Sequence, residues 1–335
     1  MKIIKQVILS LFCAGLLVSC NKKNDAEYFE SMDTFMKVRC YGKDSEAANK
    51  EAQERISFLE KLISVTKNES EIFAINNADG KPVTVSDETI SVIKDALKMA
   101  EKSDGAFNPC LYPVSSEWGF TTKKYRIPSD DEINELLKLT DFRKVKIDGN
   151  SVSMEKGMKL DLGGIGKGFA GDEAIKVLQK YGIQSALLDL GGNIQTIGKK
   201  PDGSLWTVGV KNPWDEGVVA SLKLNNEAAI TSGGYVRFFI GEDGKKYIHI
   251  FDGKTGRPVE TDIASATIVC EKGTYGDALS TTTYVLGKEK ACQFWKENKD
   301  FQMILLYGNN SICYTDGLKG KITLMHEFDN VEIIK

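Results

Sequence analysis

Histidine is nearly absent from this chain: His249 and His326 are the only two in 335 residues, too few for a His-rich zinc site. An excess of one charge is also missing. Lys and Arg number 44 against 47 Asp and Glu, a net charge of −3, so there is no basic stripe and no nucleic-acid partner is expected. The sequence has no CxxC pair, no Pro-rich linker, no internal repeat and no low-complexity tract. It also has no uninterrupted apolar run of the roughly 20 residues that a membrane-spanning helix needs. What is left, 41% hydrophobic and 27% charged, is an ordinary globular composition, long enough for one large domain or two moderate ones.

The first twenty residues differ from the rest. Lys2 and Lys5 precede a twelve-residue apolar run, 7–18, broken only by Ser10. That is the length of a signal-peptide core. The run ends Leu17-Val18-Ser19-Cys20, which resembles the bacterial lipobox, in which the cysteine is lipidated and becomes residue one. Acyl chains such as palmitate anchor at about 0.8 kcal/mol per buried methylene. Residues 1–19 are therefore expected to be a removed lipoprotein signal, Cys20 the lipidation site, and 20–30 a polar tether. The exported form would have 316 residues and a net charge of −5, anchored to a bacterial membrane and facing the periplasm. Cys40, Cys110, Cys270, Cys292 and Cys313 then remain, an odd number best read as buried thiols.

The body mixes two periodicities. Ala48, Ala52, Ile56, Leu59 and Ile63 recur at helical spacing, and Ser86 opens a second helix through Ile90, Ile93, Leu97 and Ala100. Ser129 to Glu132 forms a capping box, and a helix over 168–181 is stopped by Gly182. Strand patterns occupy 185–190, 206–210, 236–240, 247–251, 266–269 and 303–307. Antiparallel-looking strands with inserted helices point to an α+β fold rather than a regular βαβ repeat.

Chemistry-bearing residues gather around the glycines. Asp161-Leu162-Gly163-Gly164-Ile165-Gly166-Lys167-Gly168 runs into a helix, whose first amides attract phosphate. It matches neither a Walker A loop nor a dinucleotide fingerprint. Gly191-Gly192-Asn193 and Thr231-Ser232-Gly233-Gly234 form two further clusters. Each alone reads as a tight turn; three in one chain bring a ligand-loop reading level with it. His249 alternates with apolar residues on an expected strand, with Asp252 near enough to orient it. Asp277 and Thr281 lie four apart at the start of a helix, so both oxygens share one face. The pair would serve as an N-cap and a buried threonine, or as hard-oxygen ligands suited to magnesium. His326 has no chemistry-bearing neighbours and reads as surface.

The order of these segments resembles the ApbE family of FAD:protein FMN transferases. The resemblance runs from Met32 to Gly287, about three-quarters of the chain. It is carried by Met32-Asp33-Thr34, Ser70-Glu71-Ile72 with Asn76, Gly105-Ala106-Phe107-Asn108 leading to Trp118-Gly119-Phe120, the three glycine clusters, 249–258 and 277–281.

The resemblance implies an α+β fold of T-fold-like type over 31–335, with mixed and antiparallel sheets around a central FAD cleft. The implied activity is transfer of FMN from FAD to a Ser or Thr hydroxyl of a target protein, releasing AMP. Targets in the family are flavin-carrying subunits of sodium-pumping NADH:quinone oxidoreductases and related ion-pumping complexes. Site residues carried over by motif are Met32, Ala106, Phe107, Asn108, Asp161, Lys167 and Phe251 for FAD. Mg²⁺ would take the side chains of Asp277 and Thr281 and the Gly164 carbonyl, while His249 would act as general base or positioner for the acceptor hydroxyl. Four positions depart from the family's usual residues: Asp33 for Gly, Thr66 for an aromatic against the adenine, Asn108 for Asp and Cys110 for Thr. They bear on FAD contacts rather than on reaction class. Attack by water instead of a protein hydroxyl would make the chain an FAD pyrophosphatase. A non-catalytic flavin-binding lipoprotein is the third reading, and it leaves His249, Asp277 and Thr281 without a purpose.

Overall fold

The computed structural model describes residues 28–308 and 310–335. The apolar leader, Cys20 and most of the spacer lie outside the described residues, while Phe29 and Glu30, at the spacer's end, already belong to a strand.

A nine-stranded sheet organises the described residues: Phe29–Ser31, Thr34–Tyr41, Ser185–Asp189, Asn193–Ile197, Ala228–Gly233, Ile263–Cys270, Gln302–Tyr307, Ser311–Thr315 and Asn330–Ile334. Their order across the sheet is their order along the chain, and every pairing is antiparallel except the last. The helices are α1 (Ser45–Ile63), α2 (Glu71–Asn76), α3 (Asp87–Lys102), α4 (Tyr112–Glu117), α5 (Asp130–Leu137), α6 (Gly166–Lys180) and α7 (Gly273–Asn298), the last interrupted at Gly287, where φ is 72°. This is the α+β class expected from the sequence.

Both faces of the central strands are covered, which explains why 303–306 is an unbroken apolar run. Met303 and Leu305 join the core under α1, α3, α6 and α7. Ile304 and Leu306 face the other way, onto a three-stranded sheet of Trp206–Lys211, Val218–Leu224 and Ile322–Leu324. The helical stripe on α1, Ala48 to Ile63, is buried throughout. Ser86 caps α3 and Ser129 makes the full capping box on α5, as their spacing requires.

Several boundaries differ from the sequence patterns. The strand read over 236–240 begins only at Phe238, and the one read over 247–251 breaks at His249. Thus Phe238–Ile240 and Lys246–Ile248 form an isolated hairpin and Phe251–Asp252 pairs separately with Arg257–Pro258. The helix carrying Asp277 starts at Gly273, so Asp277 lies inside it rather than at its cap.

Candidate active site

Two backbone clamps shape the glycine loop. Asn76, at the end of α2, donates its amide to the Leu160 carbonyl at 2.8 Å and accepts from the Leu160 N–H at 2.7 Å. The Asp161 N–H donates to the Pro109 carbonyl at 2.7 Å, which ties the loop to the 106–109 turn. Asp161 Oδ1 then accepts from the Gly163 N–H at 2.8 Å. A Cβ on Gly164 would lie 3.0 Å from the Phe107 ring and 3.6 Å from Thr281 Oγ1, so this residue sits between the two.

Beyond the loop, α6 crosses α7 at their amino ends. Neither helix has a side-chain cap of its own, because Ile165 and Lys272 occupy the N-cap positions. Asp277 Oδ2, on α7, accepts from the Gly168 N–H in the first turn of α6 at 2.8 Å. Asp172, on α6, accepts from the Gly273 and Thr274 amides and from the Thr274 hydroxyl. The crossing needs glycine: a Cβ on Gly168 would lie 2.1 Å from the Gly273 carbonyl oxygen. Asp277 is 5% exposed, and burial pushes its carboxyl up, against the Lys167 charge and the Gly168 amide. Burial raises Asp161 likewise, opposed by the Gly163 amide and the charges of Arg237 and Lys167.

His249 occupies the break between the hairpin and the next strand, half-buried in front of Phe120. Its Nδ1 lies 3.0 Å from the Arg237 carbonyl oxygen. A carbonyl only accepts, so Nδ1 carries the proton and Nε2 keeps its lone pair. Burial foremost, then the charges of Arg237 and Lys167, lower the imidazole to about 4 despite that hydrogen bond. At neutral pH the ring is an uncharged base. Asp252 does not orient it: Asp252 Oδ1 accepts from the Lys254 N–H, turning its own tight loop, and the Arg237 carbonyl takes the positioning role instead.

One cavity of about 380 Å³ joins these parts, and every expected site residue of the described chain lines it. Met32 enters from the turn between the first two strands, Ala106, Phe107 and Asn108 from the loop after α3, and Asp161, Gly164 and Lys167 from the glycine loop. His249 and Phe251 close one wall, Asp277 and Thr281 the floor. The Asn108 amide is engaged by backbone, donating to the Thr140 carbonyl beyond α5 and accepting from the Cys110 N–H, so it shapes that wall. Thr66 is exposed and not among the lining residues. His326 is exposed, as expected, against Asn310. Sequence reasoning gave no role to Arg237, Ser232 or Asn193, which also line the cavity. Ser232 and Asn193 lie in glycine clusters that flagged them, whereas Arg237 carries no motif signal at all.

An uncharged base and a buried carboxylate lining one cavity with Lys167 and Arg237 make this the cleft of an α+β enzyme acting on an anionic ligand. Comparison with known proteins narrows the class. Residues 32–305 match the ApbE family, and the chain belongs to it. It is 33% identical over 315 residues, 87% of each chain, to the FAD:protein FMN transferase of Treponema pallidum (strain Nichols). Among solved structures, the ApbE protein from Thermotoga maritima has a TM-score of 0.83 at 31% identity, covering 88% of this chain and 98% of its own. The apo form of the Pseudomonas stutzeri flavinyl transferase ApbE has a TM-score of 0.77 at 27% identity, covering 85% and 91%.

Proposed function

We propose that this chain transfers FMN from FAD to a Ser or Thr hydroxyl of an acceptor protein and releases AMP. The observation that carries the reading is the free Nε2 of an uncharged His249 in the same cavity as Lys167, Arg237 and the amino end of α6. His249 Nε2 takes the hydroxyl proton as the acceptor oxygen bonds to the flavin-side phosphorus. The phosphorus–oxygen bond to AMP breaks, and AMP leaves with the bridging oxygen. Such base assistance contributes about 10²–10⁴-fold. Lys167 and Arg237 draw the pyrophosphate, and Met32, Ala106, Phe107, Asn108 and Phe251 surround the remainder of FAD. Asp161 fixes the loop by holding the Gly163 amide.

Asp277, Thr281 and the Gly164 carbonyl would hold Mg²⁺. Among the described residues no three His, Cys, Asp or Glu side chains converge on a metal point, so the ion would rely on one carboxylate, a hydroxyl, a carbonyl, water and phosphate. The fit rests on Asp277, a buried carboxylate with no cation hydrogen-bonded to it. At that position Mg²⁺ would supply charge neutralisation for the pyrophosphate and for the leaving AMP. Lipidation of Cys20 would hold the enzyme at a bacterial membrane on the periplasmic side, beside acceptor subunits of ion-pumping redox complexes.

The test is incubation with FAD, Mg²⁺ and the purified flavin-carrying domain of a sodium-pumping NADH:quinone oxidoreductase. In-gel flavin fluorescence on that domain supports transfer. FMN and AMP with an unlabelled domain overturn it in favour of hydrolysis.

A further inference from the structure

The hairpin next to His249 and its lead-in turn several large apolar residues to solvent. Val236, Phe238 and Ile240 alternate along one strand and its lead-in, and are 67%, 42% and 59% exposed. The intervening Phe239 turns inward, stacked on Tyr125 and Tyr247. Burial of Phe239 therefore fixes the register, and the period of two sends Phe238 and Ile240 into solvent, with Val236 exposed in the bend before them. Tyr125, also exposed, stacks on Phe239 and so lies on the opposite side of the strand, while exposed Ile127 reaches the Gly241 turn.

The edge of the same strand is open. The His249 N–H donates to the Arg237 carbonyl and the Gly241 N–H to the Lys245 carbonyl, so the odd-numbered residues face the hairpin partner. The N–H and C=O groups of Phe238 and Ile240 point outward, where no strand of the described residues pairs with them. An exposed apolar strand with an open edge is an aggregation hazard unless something covers it. Val236 also lines the catalytic cavity, so whatever covers the stripe lies across the mouth through which an attacking hydroxyl must enter.

Building on the transfer reading, we propose that the edge strand Phe238–Ile240, with Val236 in its lead-in, docks the acceptor protein by strand addition. The occupant is an extended acceptor segment with apolar side chains at alternate positions beside its reactive Ser or Thr. Main-chain pairing supplies orientation, and the apolar stripe supplies selectivity.

Phe238→Ser removes stripe area, and Ile240→Pro, compared with Ile240→Ala, removes an outward N–H at an edge position where no hydrogen bond to the hairpin partner is lost. The same acceptor domain serves as probe, with FAD affinity read from flavin fluorescence. The expected result is a tenfold or greater rise in KM for the acceptor in F238S, a further loss in I240P over I240A, and unchanged FAD affinity in all three. Unchanged transfer overturns the proposal while leaving the transferase reading intact. Transfer unchanged but binding to phosphatidylethanolamine–phosphatidylglycerol vesicles lost would assign the stripe to a membrane and overturn it. A wild-type dimer that F238S converts to monomer, with transfer unchanged, would assign it to a second copy and overturn it too. A wild-type enzyme that binds FAD and never labels the acceptor overturns the transfer reading itself, before any variant is measured.

Discussion

Asp172 and Asp277 cap each other's helices: Asp172 on α6 closes the amino end of α7, and Asp277 on α7 closes the amino end of α6. The two carboxylates are alike in chemistry, but Asp277 is fully buried and Asp172 half-buried, and only Asp277 faces the cavity. Capping and metal binding can therefore be separated experimentally.

Asp172→Ala is expected to lower stability by about 1–2 kcal/mol, the usual range for losing a cap, while turnover keeps its Mg²⁺ dependence. Asp277→Ala should suffer a comparable stability loss and in addition lose Mg²⁺-dependent turnover, without unfolding. Thermal denaturation and a Mg²⁺ titration of turnover check both. Full turnover in D277A would remove Asp277 from the metal site.

His249 sets an acid limb. Its folded-state value near 4 lies below the ordinary 6.5, so the base is free down to about pH 4 and turnover should fall only as pH drops through that value. Between pH 6.5 and 4 the unfolded chain binds a proton that the folded chain does not. The His249 contribution to stability is thus complete above 6.5 and declines toward 4. His249→Ala should reduce kcat about 10²–10⁴-fold with FAD binding retained. Loss of binding with full turnover at saturation would make the histidine a shaping residue only.

Arg237→Gln tests the charge that depresses this imidazole. The backbone carbonyl that orients Nδ1 remains, and one cation is removed. The acid limb of kcat should move upward, toward 6.5, in a pH–rate profile. An unmoved limb would mean that burial and the Lys167 charge hold the ring neutral without Arg237.

Gly168→Ala places a methyl group against the Gly273 carbonyl oxygen and the Asp277 Cβ. Overpacking of this kind costs about 1–3 kcal/mol. The helices would separate at their crossing, so Mg²⁺ affinity should fall with thermal stability. A variant of unchanged stability would show that the crossing tolerates side-chain bulk.

The fold was legible wherever a residue's job is periodic or local. The α1 stripe from Ala48 to Ile63 and the Ser86 and Ser129 caps follow from spacing, and the unbroken apolar run at 303–306 marks a strand covered on both faces. The site was legible through glycines, because backbone crossings as close as that of Gly168 and Gly273 exclude any side chain. Arg237 was not, since its part depends on where an exposed hairpin folds back, which no local pattern encodes. Nor was the Asp252 assignment correctable from sequence: proximity along the chain suggested a partnership, but a tight turn used that carboxylate first. The exposure of Val236, Phe238 and Ile240 is not legible either, as alternation does not say which face meets water.

The strand order has a kinetic meaning. Neighbouring strands Thr34–Tyr41 and Ser185–Asp189 are separated by residues 42–184, and Gly233 and Ile263 by 234–262. The catalytic groups ride on these excursions: Phe107, Asp161 and Lys167 on the first, His249 and Phe251 on the second, Asp277 and Thr281 on the one that follows. Long loops must close before such pairings are rewarded, which slows folding. Helical content should therefore appear in refolding well before ligand binding does, and a nascent chain released before residue 281 would carry an incomplete cleft.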